Sequence, residues 1–260
     1  IPVSIGGGDN MMAAVGTGNV VPGVITMSLG TSGTVYGFSE TPVVDSEGEF
    51  AGFCSSTGGW LPLVCTMNCT GATELLRTLF EIDLEGFELC LNKSTPGAKG
   101  LITVPFFTGE RTPNLPNAKA CLLGLDDQNT GTNNILRSAV EGVTYGLKYG
   151  LSRLADHSVR VETIILTGGG AKSDAWRQIV ADICGAPVEM LQQEEGAAFG
   201  AALQALAMLE ERELTSLVKE HLDRDSTRCC EPDPSTVTFY DEAYFQYRQS
   251  VEQIASIYGN

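Results

Sequence analysis

The chain has 260 residues and a formal net charge of −16, with 32 Asp and Glu residues against 16 Lys and Arg residues. This charge repels nucleic acids and anionic membrane surfaces at long range, so we exclude both as partners. A polyanionic ligand would have to be held by local backbone dipoles and a metal ion rather than by the overall field.

Length and hydrophobicity predict a soluble globular protein. With 260 residues, 43% of them hydrophobic, the chain can bury the core of one large domain or two small ones. No stretch approaches the ~20 continuous apolar residues of a membrane helix, and no segment resembles a secretion signal. Ile1 stands only a few positions before the acid Asp9 discussed below, so we expect further sequence upstream.

The cysteine and histidine content argues against a zinc site and against a histidine-dependent hydrolase. The eight cysteines form no CxxC pair, and neither of the two histidines has a neighbour at metal-ligand spacing. The shortage of histidine also argues against a Ser-His-Asp triad. We therefore expect reduced thiols in a cytoplasmic protein.

The first feature in chain order is IGGGDNMM at residues 5–12, where an acid and an amide directly follow three glycines. Each glycine loses more backbone entropy on ordering than alanine does, so the segment needs a compensating role. The apolar run from Met11 predicts a helix just after Asp9. Residues 24–37 then predict two antiparallel strands joined by a Gly/Ser/Thr turn, and residues 101–107 predict another buried strand.

An amphipathic helix is predicted over residues 133–154, where apolar residues recur every three or four positions. One face of it carries glycines, each of which costs ~1 kcal/mol relative to alanine inside a helix. These are Gly142, Gly146 and Gly150. We expect this face to admit another backbone, and we predict that it packs on the small-residue stripe of residues 194–205.

Residues 161–191 form the clearest unit, with a strand, the turn TGGGAKS, a helix that ends at Gly185 and a second strand. This order is a βαβ crossover and predicts an α/β fold. Ser173 is expected to cap the helix, and Asp174 to complement its positive end.

The chain becomes acidic after about residue 209, and its aromatic residues fit a helix docked back on the body. A polar-faced extension attached to the surface is the expectation for such a segment. We therefore expect one domain over residues 1–208 and a helical extension over residues 209–260.

Three turns are rich in glycine, at residues 6–10, 28–34 and 167–173. Exposed N–H groups in such turns attract phosphate without basic side chains, which reconciles an anionic ligand with an acidic chain. None of the three matches the Walker A or the dinucleotide pattern. Since many such turns are only structural, both interpretations stay open on these residues alone.

Five motifs occur in the order found in the FGGY carbohydrate kinases, which the sequence resembles: GGGDN, SLGTSG, FFTGERTP, ILTGGGAKSDAWRQIVADICGAPV and EEGAAFGAALQA. The similarity covers the carboxy-terminal half of such kinases over nearly the whole chain. It implies an actin-like, ribonuclease-H-like α/β ATPase domain that faces an amino-terminal kinase domain absent from this chain. GGGDN and GERTP are most similar to the members that phosphorylate xylulose.

The resemblance also implies the roles of individual residues. Asp9 matches the catalytic acid of the family, and Asn10 lies where the sugar is contacted. The other matches face the nucleotide: Gly30, Thr31 and Ser32 at the β- and γ-phosphates, and Gly169, Gly170 and Ala171 at the adenosine and α-phosphate. Asp174 stands where some members carry an amide.

These matches imply a phosphoryl transfer from ATP. A carboxylate at a helix N-terminus is kept ionised and would accept the proton of the attacking sugar hydroxyl. Mg²⁺ that bridges the phosphates would neutralise their charge. Two structural alternatives stand beside this: Asp9 as a plain helix N-cap, and Glu110 with Arg111 as an internal ion pair that holds a loop.

The expected function is ATP-dependent phosphorylation of D-xylulose to D-xylulose 5-phosphate. Three alternatives stay open: another FGGY sugar or polyol kinase, a nucleotide-binding fragment that is inactive without its partner domain, and another actin-like ATPase. The partners would be a small sugar, ATP and the amino-terminal domain, and a homodimer is left open.

Overall fold

The computed structural model describes residues 1–193 and 196–258. The strands are β1 Gly23–Leu29, β2 Gly33–Gly37, β3 Phe50–Cys54, β4 Trp60–Thr66, β5 Ile102–Val104, β6 Cys121–Leu123, β7 Val161–Thr167 and β8 Val188–Glu189. The helices are α1 Asp9–Gly16, α2 Thr70–Leu79, α3 Leu84–Lys93, α4 Thr132–Asp156, α5 Asp174–Cys184, α6 Gly196–Glu210, α7 Leu214–His221 and α8 Pro234–Tyr258. Among the helices of these two ranges, none has the length and apolar character needed to span a bilayer.

Six strands form a mixed sheet in the spatial order β3-β4-β2-β1-β7-β8. β1 pairs antiparallel with β2, with Leu29 opposite Gly33, so the hairpin predicted over residues 24–37 is confirmed. β7 pairs parallel with both β1 and β8, which confirms the βαβ crossover through α5. The strand predicted at residues 101–107 is present as β5, which pairs with β6 outside the main sheet.

The crossover helix α5 begins and ends where the sequence predicted. Ser173 Oγ accepts a hydrogen bond from Trp176 N at 3.1 Å, which is the expected N-cap interaction. Gly185 follows the helix in the left-handed conformation with φ of 65°, a backbone angle that glycine adopts without steric cost. The turn between β7 and α5 is therefore fixed at the carboxyl end of a central strand.

Helices cover both faces of the sheet. Side chains alternate in direction along each strand, so apolar residues on both faces need a covering layer. On one face, Ala14 of α1 packs with Tyr36 of β2 and Leu63 of β4. On the other face, α4 approaches so closely that a Cβ at Gly150 would lie 2.7 Å from Val64 Cγ1. The predicted amphipathic helix is thus confirmed as α4, and Gly150 admits the sheet, whereas Gly142 admits the backbone of β5 at Thr103.

The predicted packing of α6 on α4 is wrong, because α6 packs on α1 instead. A Cβ at Gly200 would lie 1.9 Å from Met12 O, and a Cβ at Gly16 would lie 1.9 Å from Gly196 O. Only glycines allow two helix backbones to approach this closely. The sequence pattern revealed a small face on each helix but not which faces share a contact.

The helix predicted in the acidic tail is confirmed as α8, and it reaches deeper than a surface attachment. Tyr240 and Tyr247 are 0% and 2% exposed, and both belong to the main hydrophobic core together with Val251 and Ile254. Aromatic side chains of this size supply much of the buried area in a core. The proposed domain boundary after residue 208 therefore divides segments that share one core.

Candidate functional site

Asp9 is the first residue of α1, and it is exposed. The N-cap position belongs to Gly8, which has no side chain, so the interpretation of Asp9 as a plain N-cap is wrong. Its Oδ1 accepts a hydrogen bond from Asn10 N at 2.8 Å, within the first turn. Gly6 before it has φ of 74°, which explains why glycine is needed in this turn.

The direction of α1 places Asp9 at the same end of the sheet as the β1–β2 turn. Thr17 follows the carboxyl end of α1, and its Oγ1 lies 2.7 Å from Oγ1 of Thr26 in the middle of β1. Met11, in the first turn of α1, packs on the same cluster as Cys65, which lies level with Ser28 across the sheet, so the amino end of α1 lies towards the carboxyl end of β1. Burial raises the pKa of the Tyr36 hydroxyl, and the negative charge of Asp9 adds to that shift across the same face.

The turn at residues 30–32 joins β1 to β2 and is held from behind by the amino end of α2. Thr70 N and Thr70 Oγ1 donate to Gly30 O at 2.9 and 2.8 Å, and Gly71 N donates to Thr31 O at 3.2 Å. Thr31 and Ser32 are exposed, and within the described ranges their hydroxyls have no hydrogen-bond partner. The carbonyl groups of Gly30 and Thr31 therefore face the protein, whereas the hydroxyls of Thr31 and Ser32 are on exposed residues.

The turn at residues 168–171 lies directly beside the first turn. Gly168 has φ of 88°, and a Cβ there would lie 2.6 Å from Leu29 O. A Cβ at Gly170 would lie 2.8 Å from Leu29 Cβ and 3.0 Å from Thr70 Cγ2. Both turns therefore meet at the end of β1, and a side chain at Gly168 or Gly170 would collide with Leu29.

The predicted nucleotide residues of the second turn differ in their access to ligand. Gly169 is exposed, whereas Gly170 and Ala171 are buried. Asp174 is exposed, and its carboxylate pairs with Arg177, whose Nη1 donates to Ala171 O at 2.9 Å. Asp174 therefore also braces the turn from outside.

A groove of about 700 Å³ opens between this turn and helices α2 and α3. Its size lies in the range of small-molecule sites. Six of the residues that line it are Thr70, Glu74, Phe87, Glu88, Gly169 and Trp176. No sequence pattern predicts a role for the α2 and α3 residues, because neither segment has a glycine-rich signal.

Glu88 of α3 is a further residue that the sequence analysis missed. Its carboxylate accepts hydrogen bonds from Ser173 Oγ and, at 2.8 Å, from Ala175 N. Glu88 therefore occupies donors at the amino end of α5. A phosphate would face the turn at residues 168–171 rather than this helix end. Glu88 and Ser173 lie 85 positions apart, so no local pattern could have revealed the contact.

Glu110 and Arg111 do not form the expected ion pair. Glu110 is 4% exposed, and Oε1 accepts from Met67 N at 2.6 Å and from Arg111 N at 2.8 Å. Its Oε2 accepts from Asn68 Nδ2 at 3.0 Å. Burial raises the pKa of the Glu110 carboxyl, and these donors oppose the shift. The backbone of Arg111 binds Glu110, whereas its side chain is exposed.

Comparison of the sequence with profiles of known protein families agrees with the geometry of the two turns. The profile described as the FGGY family of carbohydrate kinases, C-terminal domain, matches residues 25–209. The chain belongs to this family. The resemblance seen in the sequence motifs is thereby confirmed.

Two curated relatives that the chain matches are both named xylulose kinase. The chain is 44% identical to the xylulose kinase of Haemophilus influenzae over 97% of its own length and 51% of that protein. It is 41% identical to the xylulose kinase of Streptomyces rubiginosus over 80% of its own length and 41% of that protein. The chain thus spans about half the length of the curated relatives it matches.

Solved structures show the same fold. The xylulose kinase of Bifidobacterium adolescentis superimposes with a TM-score of 0.80 and 36% identity, over 92% of this chain and 47% of that one. A ligand-bound xylulose kinase from Lactobacillus acidophilus gives a TM-score of 0.89 at 21% identity, which bears on the fold alone. The predicted actin-like, ribonuclease-H-like α/β fold is confirmed.

Proposed function

We propose that the complete protein transfers the γ-phosphoryl group of ATP to the 5-hydroxyl of D-xylulose, and that this chain supplies its catalytic carboxylate and nucleotide groove. The observation that carries the proposal is the exposed Asp9 at the end of the sheet where both glycine-rich turns meet. The 44% identity to a protein named xylulose kinase supports the choice of sugar.

In the proposed reaction, Asp9 accepts the proton of the sugar hydroxyl as its oxygen attacks the γ-phosphorus in line. General-base catalysis of this kind contributes typically ~10²–10⁴-fold. Asp9 suits the task because it is exposed and because, among the described residues, its Oδ1 accepts from Asn10 N while Oδ2 accepts no hydrogen bond. Asn10, half-buried in the same turn, is proposed to contact the sugar.

The two turns are proposed to hold the nucleotide. The donors of Gly30, Thr31 and Ser32 would bind the β- and γ-phosphates, since the carbonyls of the turn already bond to α2. Exposed Gly169 and Asp174 would border the adenosine, with buried Gly170 and Ala171 as the support beneath them. Backbone donors fit an ATP site in a chain of net charge −16.

Mg²⁺ is proposed to enter with ATP. Within residues 1–193 and 196–258, no group of three or more His, Cys, Asp or Glu side chains is placed to hold a metal ion. Such a cage is not needed, because Mg²⁺ keeps several waters and usually binds one or two carboxylates plus substrate phosphates. Asp9 is the exposed carboxylate at this end that would face its waters. The ion would neutralise charge on the phosphates.

An exchange of Asp9→Asn in the full-length protein tests the proposal. We expect phosphorylation of D-xylulose to fall by ~10²-fold or more, because the amide does not accept the proton, while ADP affinity is retained. Asp127→Asn, an exposed acid in the loop before α4, is the matched control. Wild-type turnover by the Asp9 variant would refute the assignment of the base.

A panel of sugars tests the substrate. ADP release, measured with D-xylulose, D-ribulose, gluconate and glycerol, should give the highest kcat/KM with D-xylulose. A preference for another sugar would keep the kinase proposal and replace its substrate. Steady phosphate release without any sugar would instead favour an actin-like ATPase.

A second candidate function concerns this chain by itself. Because it spans about half of its relatives, we propose that an amino-terminal domain completes the sugar site and that the isolated chain binds nucleotide without catalysis. Calorimetry with ADP and with D-xylulose should detect ADP binding to the chain but weakened sugar binding relative to the full-length protein. Sugar affinity equal to that of the full-length protein would refute the shared site.

We also propose a reducing compartment for the protein, as in the cytoplasm. All eight cysteines are free thiols, and Cys69 and Cys90 are buried in the core. Burial raises the pKa of the Cys69 thiol to about 12, which keeps it protonated and unreactive.

A further inference from the structure

The segment that carries Arg111 is fixed to the end of strand β4. Glu110 accepts hydrogen bonds from the backbone of Met67, the first residue after β4, and from the side chain of Asn68. Asn68 Nδ2 also donates to Gly109 O at 2.7 Å. The same stretch continues into Thr70, which holds the phosphate turn through Gly30 O. The backbone at Arg111 is therefore joined to the proposed phosphate site by one short segment.

The segment that carries Arg111 and the first turn of α1 meet near the carboxyl end of β4. Leu63 and Cys65 of β4 point to the face of the sheet that α1 covers, where Met11 and Ala14 of α1 pack on the same cluster. Burial raises the pKa of the Cys65 thiol, and the positive charge of Arg111 opposes that shift, so the guanidinium lies within electrostatic reach of Cys65. Met11 belongs to the first turn of α1, as Asp9 does. Arg111 and Asp9 therefore border the same edge.

Arg111 has no anionic partner in this part of the molecule. Its side chain is exposed, and across residues 1–193 and 196–258 its guanidinium takes part in no ion pair or hydrogen bond. Arg137, Arg153 and Arg177 of the same chain each pair with a carboxylate. With twice as many acids as bases, an arginine that forms no ion pair among the described residues is available to an external anion.

We infer that Arg111 contacts the phosphoryl group during its transfer, an inference that rests on the proposed function. The bond between the γ-phosphorus and the β–γ bridging oxygen breaks, and its electron pair leaves with ADP. A new bond forms between the phosphorus and the sugar hydroxyl oxygen, whose proton passes to Asp9. Arg111 donates hydrogen bonds to the non-bridging oxygens of the phosphoryl group in the transition state, where negative charge is spread.

This role explains why Glu110 is buried beside an exposed arginine. A carboxylate that paired with the guanidinium would neutralise it, whereas Glu110 binds the N–H groups of the backbone and fixes the position of the chain. Arg111 is thus held on a rigid backbone, and its positive charge remains available to the ligand. An arginine that contacts the transferred phosphoryl group contributes about 10³–10⁵-fold in other phosphoryl-transfer proteins.

The test compares Arg111→Ala and Arg111→Lys with wild type in the full-length protein. We expect kcat to fall by ~10²-fold or more for alanine, since a rigid arginine fork is lost, with KM values for ATP and D-xylulose changed by less than about threefold. Added guanidinium ion should restore part of the activity of the alanine variant. Arg160→Ala, at the opposite end of β7, is the matched control and should behave as wild type.

A binding measurement separates this inference from the choice of sugar. ADP with aluminium fluoride is an analogue of the transition state of phosphoryl transfer, and its binding requires no turnover. Arg111→Ala should weaken the affinity for this complex by ~10²-fold and leave the affinity for ADP unchanged. Equal weakening of both, or wild-type kcat without Arg111, would overturn the inference. Wild type that binds the analogue but does not phosphorylate D-xylulose would instead refute the proposed substrate.

Discussion

Two regions of the molecule place their charged groups in opposite ways. Between α4 and α8, Arg137 Nε lies 2.8 Å from Glu141 Oε1, and the Tyr240 hydroxyl donates to the same oxygen at 2.7 Å. At the other region, the edge that carries Asp9 and Arg111, both charged side chains are exposed, and neither forms an ion pair within residues 1–193 and 196–258. The first region uses its charges to hold helices together, and the second leaves them for a ligand.

The second region also obtains rigidity from close contacts between backbones. Gly16 and Gly200 let α6 press against α1, and Gly168 lets one turn press against Leu29. Contacts of this kind consume no functional side chain. Glycine-mediated packing near a site therefore leaves the side chains there available to a ligand. The difference between the two regions leads to three predictions on stability.

The largest effect is expected from breaking the buried network with Arg137→Met. Glu141 is 2% exposed, and without the guanidinium its charge would be uncompensated. The free energy of unfolding should fall by about 3–5 kcal/mol, as found when one partner of a buried pair is removed. Urea unfolding of the single and double variants with Glu141→Gln measures the coupling. If the double variant is no more stable than Arg137→Met, the charge is not the cause.

An intermediate effect is expected from Gly200→Ala at the contact of α6 with α1. The new Cβ would lie 1.9 Å from Met12 O, so the helices must separate, at a cost of about 1–3 kcal/mol. Because α1 carries Asp9, phosphorylation should fall together with stability, as measured by thermal unfolding and ADP release.

Gly146→Ala in α4 provides the matched control. The nearest atom to its added Cβ is the Tyr247 hydroxyl oxygen, at 3.9 Å. Since the site has room, the better helix propensity of alanine should raise stability by up to about 1 kcal/mol. Similar effects of the two substitutions would show that helix propensity, rather than close approach, governs these positions.

Features determined by local sequence were predicted well. The turn of residues 28–34, the crossover through α5 and its cap Ser173 each depend on residues a few positions apart, and all three are confirmed. The position of Asp9 at the start of α1 follows from three glycines and an apolar run in the same way.

Contacts between distant segments were not predicted, for a physical reason. A stripe of small residues on α6 shows that some backbone approaches, but α1 and α4 both offer such a face. Glu88 reaches Ser173, and Glu110 reaches Asn68, only because the fold brings their elements together. In each case the donor and acceptor types are ordinary, so the sequence carries no sign of the pair.

The smallest effect concerns Glu110, the buried acid that precedes the exposed Arg111. Burial raises the pKa of its carboxyl above the ordinary value of 4.5, so the folded state binds this proton more tightly than the unfolded state does. The resulting stabilisation is complete below the unfolded pKa and is lost as pH rises through the folded pKa. Wild type should therefore lose stability relative to Glu110→Gln as pH rises above 4.5.

Urea unfolding of both proteins over a pH series measures this difference. Each unit of pKa difference corresponds to about 1.4 kcal/mol, and the donors of Met67, Asn68 and Arg111 N oppose the shift, so the slope should be shallow. A slope of opposite sign would mean that these donors outweigh burial and that Glu110 folds as a strongly stabilised anion. In that case the hydrogen bonds of Glu110 to the backbone, rather than its burial, would govern the stability of the segment that carries Arg111.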